Sequence, residues 1–575
     1  AGTDVVGVLS LLALDEAPHP RHPFLTVGTT ATVTLVQALS DAGVTAPLWC
    51  ATRGAVSVGP ADDPPCPERA LLWGVGRVAA LEQPTLWGGL VDLPASLDDV
   101  GTDRLLAVLG GGTGQDQVAI RDGGVFARRL GHAGRDQASV PWRPHGTVLI
   151  TGGTGFLGAH LARWAADAGA EHLVLVNRRG PDAPDARELA DDLSGRGARV
   201  TVAACDVADR SALADLLDRV RADGGPLRAV LHAAGTVEYR SLADTTPADL
   251  AEAVRTKVAG ARNLDDLLAA DDLDAFVLFS SIAGTWGSGE QAAYSAGNTY
   301  LDALAEDRRR RGLPAASVAW GSWGRGGMLA ADVAAQLDRS GVHAMDPDLA
   351  VTALARAVTD DSPTVTVAAM DWSRFHPTFT LHRPSPLLSD LPEVRALLDT
   401  AGDDEPEREA VPLAESLADL PSDEQAKALL DLVRGQVAAV LGHASAAEVE
   451  PDRAFREVGF DSLTAVELRN RLKTVTGLPL PVSLVFDFPT PTKLAGHLRA
   501  ELCPAMDDTA GDVDDDDLRR VLRSIPPVRL REAGLVDVLR RLAEGGPANG
   551  AEPEQTRSID EMDLDDLVRI ASRPN

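Results

Sequence analysis

The sequence predicts an α/β protein built on a doubly wound parallel sheet, followed by a small helical-bundle domain and a helical tail. Three observations carry that expectation. From Gly146 onward, nearly uninterrupted apolar runs (TVLI, HLVLVN, VTVAA, LRAVLH, AFVLFSS, ASVAW) alternate with amphipathic stretches, the pattern of strands covered on both faces. The glycine-rich segment Thr151-Gly-Gly-Thr-Gly-Phe-Leu-Gly158 stands between the first run and the helical stretch after it. Beyond residue 420 the apolar period becomes helical, with Leu430, Val433, Val437, Val440 and Leu441 on one face before Gly442.

At 575 residues the chain is long enough for roughly three to five domains. Residues 1–135 alternate short apolar runs with helical stretches and close on QVAIR and VFARRL around an Asp122-Gly123 turn, an α/β unit with no glycine-rich loop and an expected structural role. The doubly wound domain is expected over 145–380. Residues 381–420, rich in Pro, Asp and Glu, read as a linker. The helical unit fills 421–502. The tail, 503–575, opens on an acidic run and ends on a helix with a Ser558/Glu561 capping box and an apolar stripe of Leu564, Leu567, Val568 and Ala571.

Composition excludes several classes. There are 54 Lys and Arg against 85 Asp and Glu, a net charge of -31 that would repel phosphate backbones and anionic lipid heads, so neither nucleic acid nor membrane is an expected partner. No apolar run approaches ~20 residues, and the chain is expected to be cytoplasmic. Cys50, Cys66, Cys205 and Cys503 are scattered, which suits reduced thiols better than a disulfide framework or a zinc site, and no metal is expected. Lysine occurs only at 257, 427, 473 and 493 in an Arg-rich chain, so Lys257 marks a place where a compact ammonium is wanted.

The motifs point to a reductase. Between a strand and a helix, Gly152, Gly153, Thr154, Gly155, Phe156, Leu157 and Gly158 would let backbone N–H groups reach a pyrophosphate, the mark of a Rossmann-like nucleotide site. The next strand ends in Asn177-Arg178-Arg179, where cations suit the 2′-phosphate of NADPH better than the free diol of NADH. Asp206 and Val207 follow the third strand at the expected adenine edge, a plain turn former being the lesser alternative for Asp206. His232-Ala233-Ala234-Gly235 ends the fourth. The fifth ends at Ser281, and Tyr294 and Asn298 follow.

Ser281, Tyr294 and Asn298 at this spacing resemble the short-chain dehydrogenase/reductase (SDR) superfamily, and more closely the ketoreductases of modular type I polyketide synthases. In those enzymes the common Tyr-x-x-x-Lys lysine moves to the preceding helix, the place that Lys257 matches. The resemblance implies that Ser281 holds the ketone oxygen, Tyr294 is the acid with its phenol lowered by Lys257, and Asn298 links the proton supply. Val237-Glu238-Tyr239 replaces the Leu-Asp-Asp of B-type enzymes. Trp286, eight residues before Tyr294, implies the A type with an L-β-hydroxyl, and Gln291 implies an unepimerised α-carbon; an ordinary packing aromatic is the other reading of Trp286.

Residues 1–135 then resemble the truncated Rossmann-like structural subdomain of such ketoreductases. Gly459-Phe460-Asp461-Ser462-Leu463 ahead of a helix resembles an acyl carrier protein, with Ser462 as the attachment point of 4′-phosphopantetheine; a plain helix N-cap is the local alternative. The tail resembles a C-terminal docking domain. The resemblance therefore implies NADPH-dependent reduction of a carrier-bound β-ketoacyl thioester, with ketosynthase and acyltransferase domains upstream on the same polypeptide, homodimerisation, and transfer to a downstream subunit. A carrier and docking scaffold with an inactive reductase is the competing expectation.

Overall fold

The structure, a computed structural model, describes residues 5–134, 140–223, 225–324, 331–360, 362–381, 383–403, 417, 421–441, 445–458, 460, 462–478, 480–481 and 484–503. Two units divide the chain, 1–502 and 503–575. The tail helices expected from the capping box at Ser558 lie outside the described residues.

The first half runs β1 (Val8–Ser10), a small hairpin of β2 (Pro18–His19) and β3 (His22–Thr26), α1 (Val27–Asp41), β4 (Leu48–Arg53), α2 (Pro67–Glu82), β5 (Trp87–Leu93), α3 (Asp99–Leu109), β6 (Gln117–Arg121) and β7 (Gly124–Ala127). Its sheet has the order β1-β4-β5-β6-β7, parallel except for the final β6–β7 hairpin, which turns at Asp122-Gly123 as expected. The Thr26 hydroxyl starts α1 by accepting from the Thr29 N–H at 3.1 Å, and Pro67 starts α2, where its missing N–H costs nothing.

The second half opens with β8 (Thr147–Thr151), α4 (Phe156–Ala168), β9 (His172–Asn177), α5 (Ala186–Gly195), β10 (Arg199–Ala204), α6 (Arg210–Ala222) and β11 (Leu227–His232). It continues with α7 (Pro247–Leu267), β12 (Ala275–Ser281), α8 (Ile282–Trp286), α9 (Ala292–Arg310), β13 (Ala316–Trp320), α10 (Ala331–Arg339), β14 (Val342–His343), α11 (Pro347–Thr359), β15 (Thr364–Val367), β16 (Ala369–Met370) and α12 (Trp372–Phe379). Seven parallel strands take the order β10-β9-β8-β11-β12-β13-β15. Chain direction across the sheet reverses between β8 and β11, so a crevice opens beyond their carboxyl ends, the place where such sheets bind ligands. All of β8 is buried, which explains why its sequence reads as one apolar run without alternation.

Helices α2 and α9 join the two halves. Gly74 makes the approach possible, because a Cβ there would stand 2.5 Å from the backbone of Ala296. The two halves therefore share one continuous core that includes Leu71, Trp73 and Val75 with Ala296, Tyr300 and Leu301.

Part of the expected linker is folded. A 3-10 turn at Pro386–Leu388 leads into α13 (Pro392–Asp403), and Leu387, Leu388, Leu391 and Val394 are buried with Trp286 and Phe375. The Leu130 N–H donates to the Leu387 carbonyl at 2.8 Å, tying this segment to the chain leaving the first half. The boundary at 380 is thus corrected: the packed core of the doubly wound domain extends into α13. Pro and acidic residues concealed the signal, since Pro386 and Pro392 sit in first turns where proline is tolerated while the apolar residues between them face inward. Leu388→Ala should destabilise the doubly wound domain by about 2–5 kcal/mol in denaturant unfolding. An unchanged midpoint would mean that the segment is only tethered.

The helical unit consists of α14 (Ser422–Leu441), α15 (Ser462–Thr476), α16 (Leu484–Asp487) and α17 (Pro491–Leu502). Val433, Val437, Leu468, Leu472, Leu484, Leu494 and Leu498 are buried; of the stripe read on α14, Val433 and Val437 face inward, while Leu430, Val440 and Leu441 are half-buried.

Candidate active site

The crevice at the β8/β11 switch widens into a cleft of about 2060 Å³. One end is the loop from β8 to α4. Gly152 adopts φ +67°, and a Cβ on Gly158 would stand 2.2 Å from the Gly152 carbonyl oxygen, so the loop closes tightly on itself only with glycine. Gly155 occupies the N-cap of α4 with no side chain over the free N–H groups. A cradle of this kind, with Arg178 and Arg179 exposed on the cleft wall beside Asn177, fits the diphosphate and 2′-phosphate of a dinucleotide.

The reacting end gathers residues from three elements. Ser281 ends β12 and caps α8, its hydroxyl accepting from the Ala283 N–H at 3.2 Å. Tyr294 lies in the first turn of α9. Lys257 projects from α7, its Nζ 5.3 Å from the centre of the Tyr294 ring and donating to the Phe279 carbonyl at 2.7 Å. Burial lowers Lys257 to about 8, and the charge of Asp302 acts against that shift. The neighbouring His232 is pushed down to about 3 by burial and by Lys257, so it stays neutral.

Tyr294 departs from expectation. Burial raises its phenol above the usual value, with hydrogen bonds to Ser281 and Asn298 pulling it back; Lys257 does not lower it. The expected depression by the ammonium is therefore corrected. Desolvation of the phenol dominates, and the Lys257 ammonium, 5.3 Å from the ring centre, does not offset it.

The structure does not place every expected residue in the cleft. The described lining includes Gly152, Thr154, Gly155, Phe156, Leu157, Gly158, Asn177, Arg178, Arg179, Ala233, Ala234, Lys257, Ser281, Trp286, Gln291 and Tyr294. Gly153 packs behind the loop, where a Cβ would meet Leu175. Asp206 and Val207 stand apart from the lining: Asp206 pairs with Arg255 and accepts from the Ala208 N–H at 3.0 Å, and Val207 is buried. The turn-forming reading fits Asp206 better. Asn298 is fully buried; its amide donates to the Tyr294 carbonyl at 2.8 Å, leaving its Oδ1 without a partner. Trp286 borders the cleft and also packs on Trp372 and Phe375, with ring centres 6.2 and 5.4 Å away, so both of its readings have structural support.

Several lining residues escaped sequence reasoning. Arg77 and Gln117 come from the first half, Phe375 and Phe379 from α12, and Phe460 from the helical unit, whose α15 packs against α12. Arg77 had one available signal: it is the only charged residue in the otherwise apolar run ALLWGVGRVAAL. Helix α15 begins at Ser462, while Gly459 and Asp461 lie outside the described residues. Among the described residues no His, Cys, Asp and Glu cluster could hold a metal, and no helix is long and apolar enough to cross a membrane.

Fold and cleft together define a reductase of the SDR class. Family models match the KR domain over residues 146–325, the phosphopantetheine attachment site over 431–498, and the Rossmann fold domain of the polyketide synthase extender module SpnB over 4–130. Polyketide synthase GfsA of Streptomyces halstedii is 52% identical over 534 residues, 90% of this chain and 7% of that protein. Pikromycin polyketide synthase component PikAIII of Streptomyces venezuelae is 51% identical over 565 residues, 94% of this chain and 36% of that protein. The chain thus spans about a third or less of these curated relatives. A solved A1-type ketoreductase superposes with TM-score 0.66 at 50% identity, covering 68% of this chain and 83% of that one.

The chain belongs to the modular type I polyketide synthases, as a fragment with ketoreductase and acyl carrier domains. Its enzyme is an SDR-type β-ketoacyl reductase, and the cofactors of the two matched domains are NADPH and covalent 4′-phosphopantetheine.

Proposed function

We propose that this chain reduces a β-ketoacyl thioester carried on Ser462-phosphopantetheine to an L-β-hydroxyacyl thioester without epimerising the α-carbon. The observation that carries the reading is the convergence of Ser281, Tyr294 and Lys257 at one end of a cleft whose other end is a dinucleotide cradle. The glycine loop, Asn177, Arg178 and Arg179 would hold NADPH, which supplies hydride to the ketone carbon. Ser281 orients the ketone oxygen. Tyr294 donates its phenolic proton to that oxygen, and the Lys257 ammonium stabilises the phenolate left behind. Asn298, bonded to the Tyr294 backbone, keeps the first turns of α9 in register and offers its free Oδ1 to the returning proton path.

Trp286 borders the substrate end, and the similarity to a solved A1-type ketoreductase supports the A-type outcome. Phe460, two residues before Ser462, borders the same cleft, which supports delivery of the substrate by this chain's own carrier. Upstream domains on the same polypeptide, pairing of two chains and handover to a downstream subunit through the tail belong to the same reading, supported by multidomain relatives. The test is NADPH oxidation with a 2-methyl-3-ketoacyl thioester, followed by chiral chromatography. The expected product is the L-alcohol with its methyl configuration retained. A D-alcohol would overturn the stereochemical assignment, and nucleotide binding without turnover would leave a carrier scaffold.

A further inference from the structure

Tyr294, Asn298, Asp302 and Glu306 recur every four residues along α9 and so share one face of it, each about 6 Å beyond the last. Behind the catalytic pair this face borders a second cavity of about 810 Å³ between the two halves, lined by Asp302, Glu306, Arg77 and Arg128. Asp302 accepts from the Ser317 hydroxyl at 2.6 Å and lies within hydrogen-bonding reach of Ser280. Ser280 directly follows Phe279, whose carbonyl receives the Lys257 ammonium. Lys257 and Asp302 therefore engage adjacent residues of β12.

We propose that Asp302 is a positioning residue for the reduction, the counter-charge of the Lys257 ammonium, and that the Arg77 and Arg128 cations of the first half, which line the same cavity, favour its anionic form. The inference rests on the reductase reading above. It makes the first half, expected to be only structural, an electrostatic part of the active site.

An ammonium out of water needs a nearby negative charge to remain protonated. The acidic side chain that supports Lys257 against burial is Asp302. Burial raises the Asp302 carboxyl above its usual value, and Ser317, Ser280, Arg77 and Arg128 pull it back only in part. Other charged or titratable groups around the pair are Tyr294 and Glu306 on α9, neutral His232 at the end of β11, Asp116 before β6 and Asp360 after α11. Glu306, raised to about 7 by burial, changes charge near neutrality and would modulate Asp302.

The sign is definite. Lys257 is protonated below about 8, so activity should fall as pH rises through that region, and loss of the Asp302 charge should move the fall to lower pH. The experiment is the pH profile of kcat for the full chain on a freely diffusing 2-methyl-3-ketoacyl thioester with saturating NADPH. Asp302→Asn should shift the alkaline limb down by about one pH unit or more, and Asp302→Glu should restore it. A purely structural role would lower kcat at every pH and leave the limb in place, which would overturn the proposal. Should Asp302→Asn fail to fold or be inactive throughout, Asp302→Ser decides: it removes the same charge while keeping a hydroxyl for Ser317, and its limb should move the same way. An unmoved limb there overturns the proposal equally. An inactive parent chain would instead sink the reductase reading itself.

Discussion

Tyr294→Phe should lower the rate of ketone reduction by about 10²- to 10⁴-fold, the usual worth of a positioned general acid, while nucleotide binding persists. The substitution removes one oxygen. It preserves the ring that lies 5.3 Å from the Lys257 ammonium and leaves the glycine loop untouched. Hydride can reach the ketone carbon only as the oxygen acquires a proton, and Tyr294 is the group the cleft offers for that beside Ser281. Stopped-flow NADPH oxidation alongside nucleotide titration separates the outcomes. Parent-like turnover would remove Tyr294 from the mechanism, whereas joint loss of turnover and binding would report damage to the fold. Its raised phenol keeps Tyr294 protonated across neutral pH, so the acid form is available wherever the enzyme works.

Ser462→Ala should abolish phosphopantetheine attachment, read by intact mass after treatment with a phosphopantetheinyl transferase. Reduction of a small diffusing thioester should survive, because Ser462 lies outside the reductase chemistry. Reduction of substrate delivered on the chain's own carrier should disappear, since the tether's effective concentration, of order millimolar, goes with it. The position suits the chemistry: α15 starts at Ser462, and a helix N-terminus favours the phosphate that the serine would bear. Modification of the alanine variant would place the attachment elsewhere.

Much of this was legible in the chain. The strand–glycine–helix unit at 147–168 is encoded within a window shorter than 25 residues, and the structure realises it as β8, the tight loop and α4. The apolar runs became seven parallel strands because burial on both faces erases alternation. Lys257 stood out by being the sole lysine before residue 427, and the fold brings it beside Tyr294.

What the sequence misjudged involved distant partners. Residues 386–403 carry the composition of a linker, yet they fold because Trp286 and Phe375 supply an apolar surface for Leu387, Leu388, Leu391 and Val394. The direction of the Tyr294 shift depended on how completely neighbouring elements enclose the ring.

By itself, then, the sequence determined the order of strands and helices, the dinucleotide loop, the carrier helix at Ser462 and the residue types available for reduction. These are written in short-range periodicity and spacing, because hydrogen bonding and turn chemistry act over a few residues. Only the tertiary structure decided which charges gather in one place: Arg77 and Arg128 from the first half line one cavity with Asp302, and Lys257 bonds to the Phe279 carbonyl beside Ser280. Such pairings depend on the packing of α2 against α9 through Gly74, and the energy of a buried charge is set by what surrounds it in space.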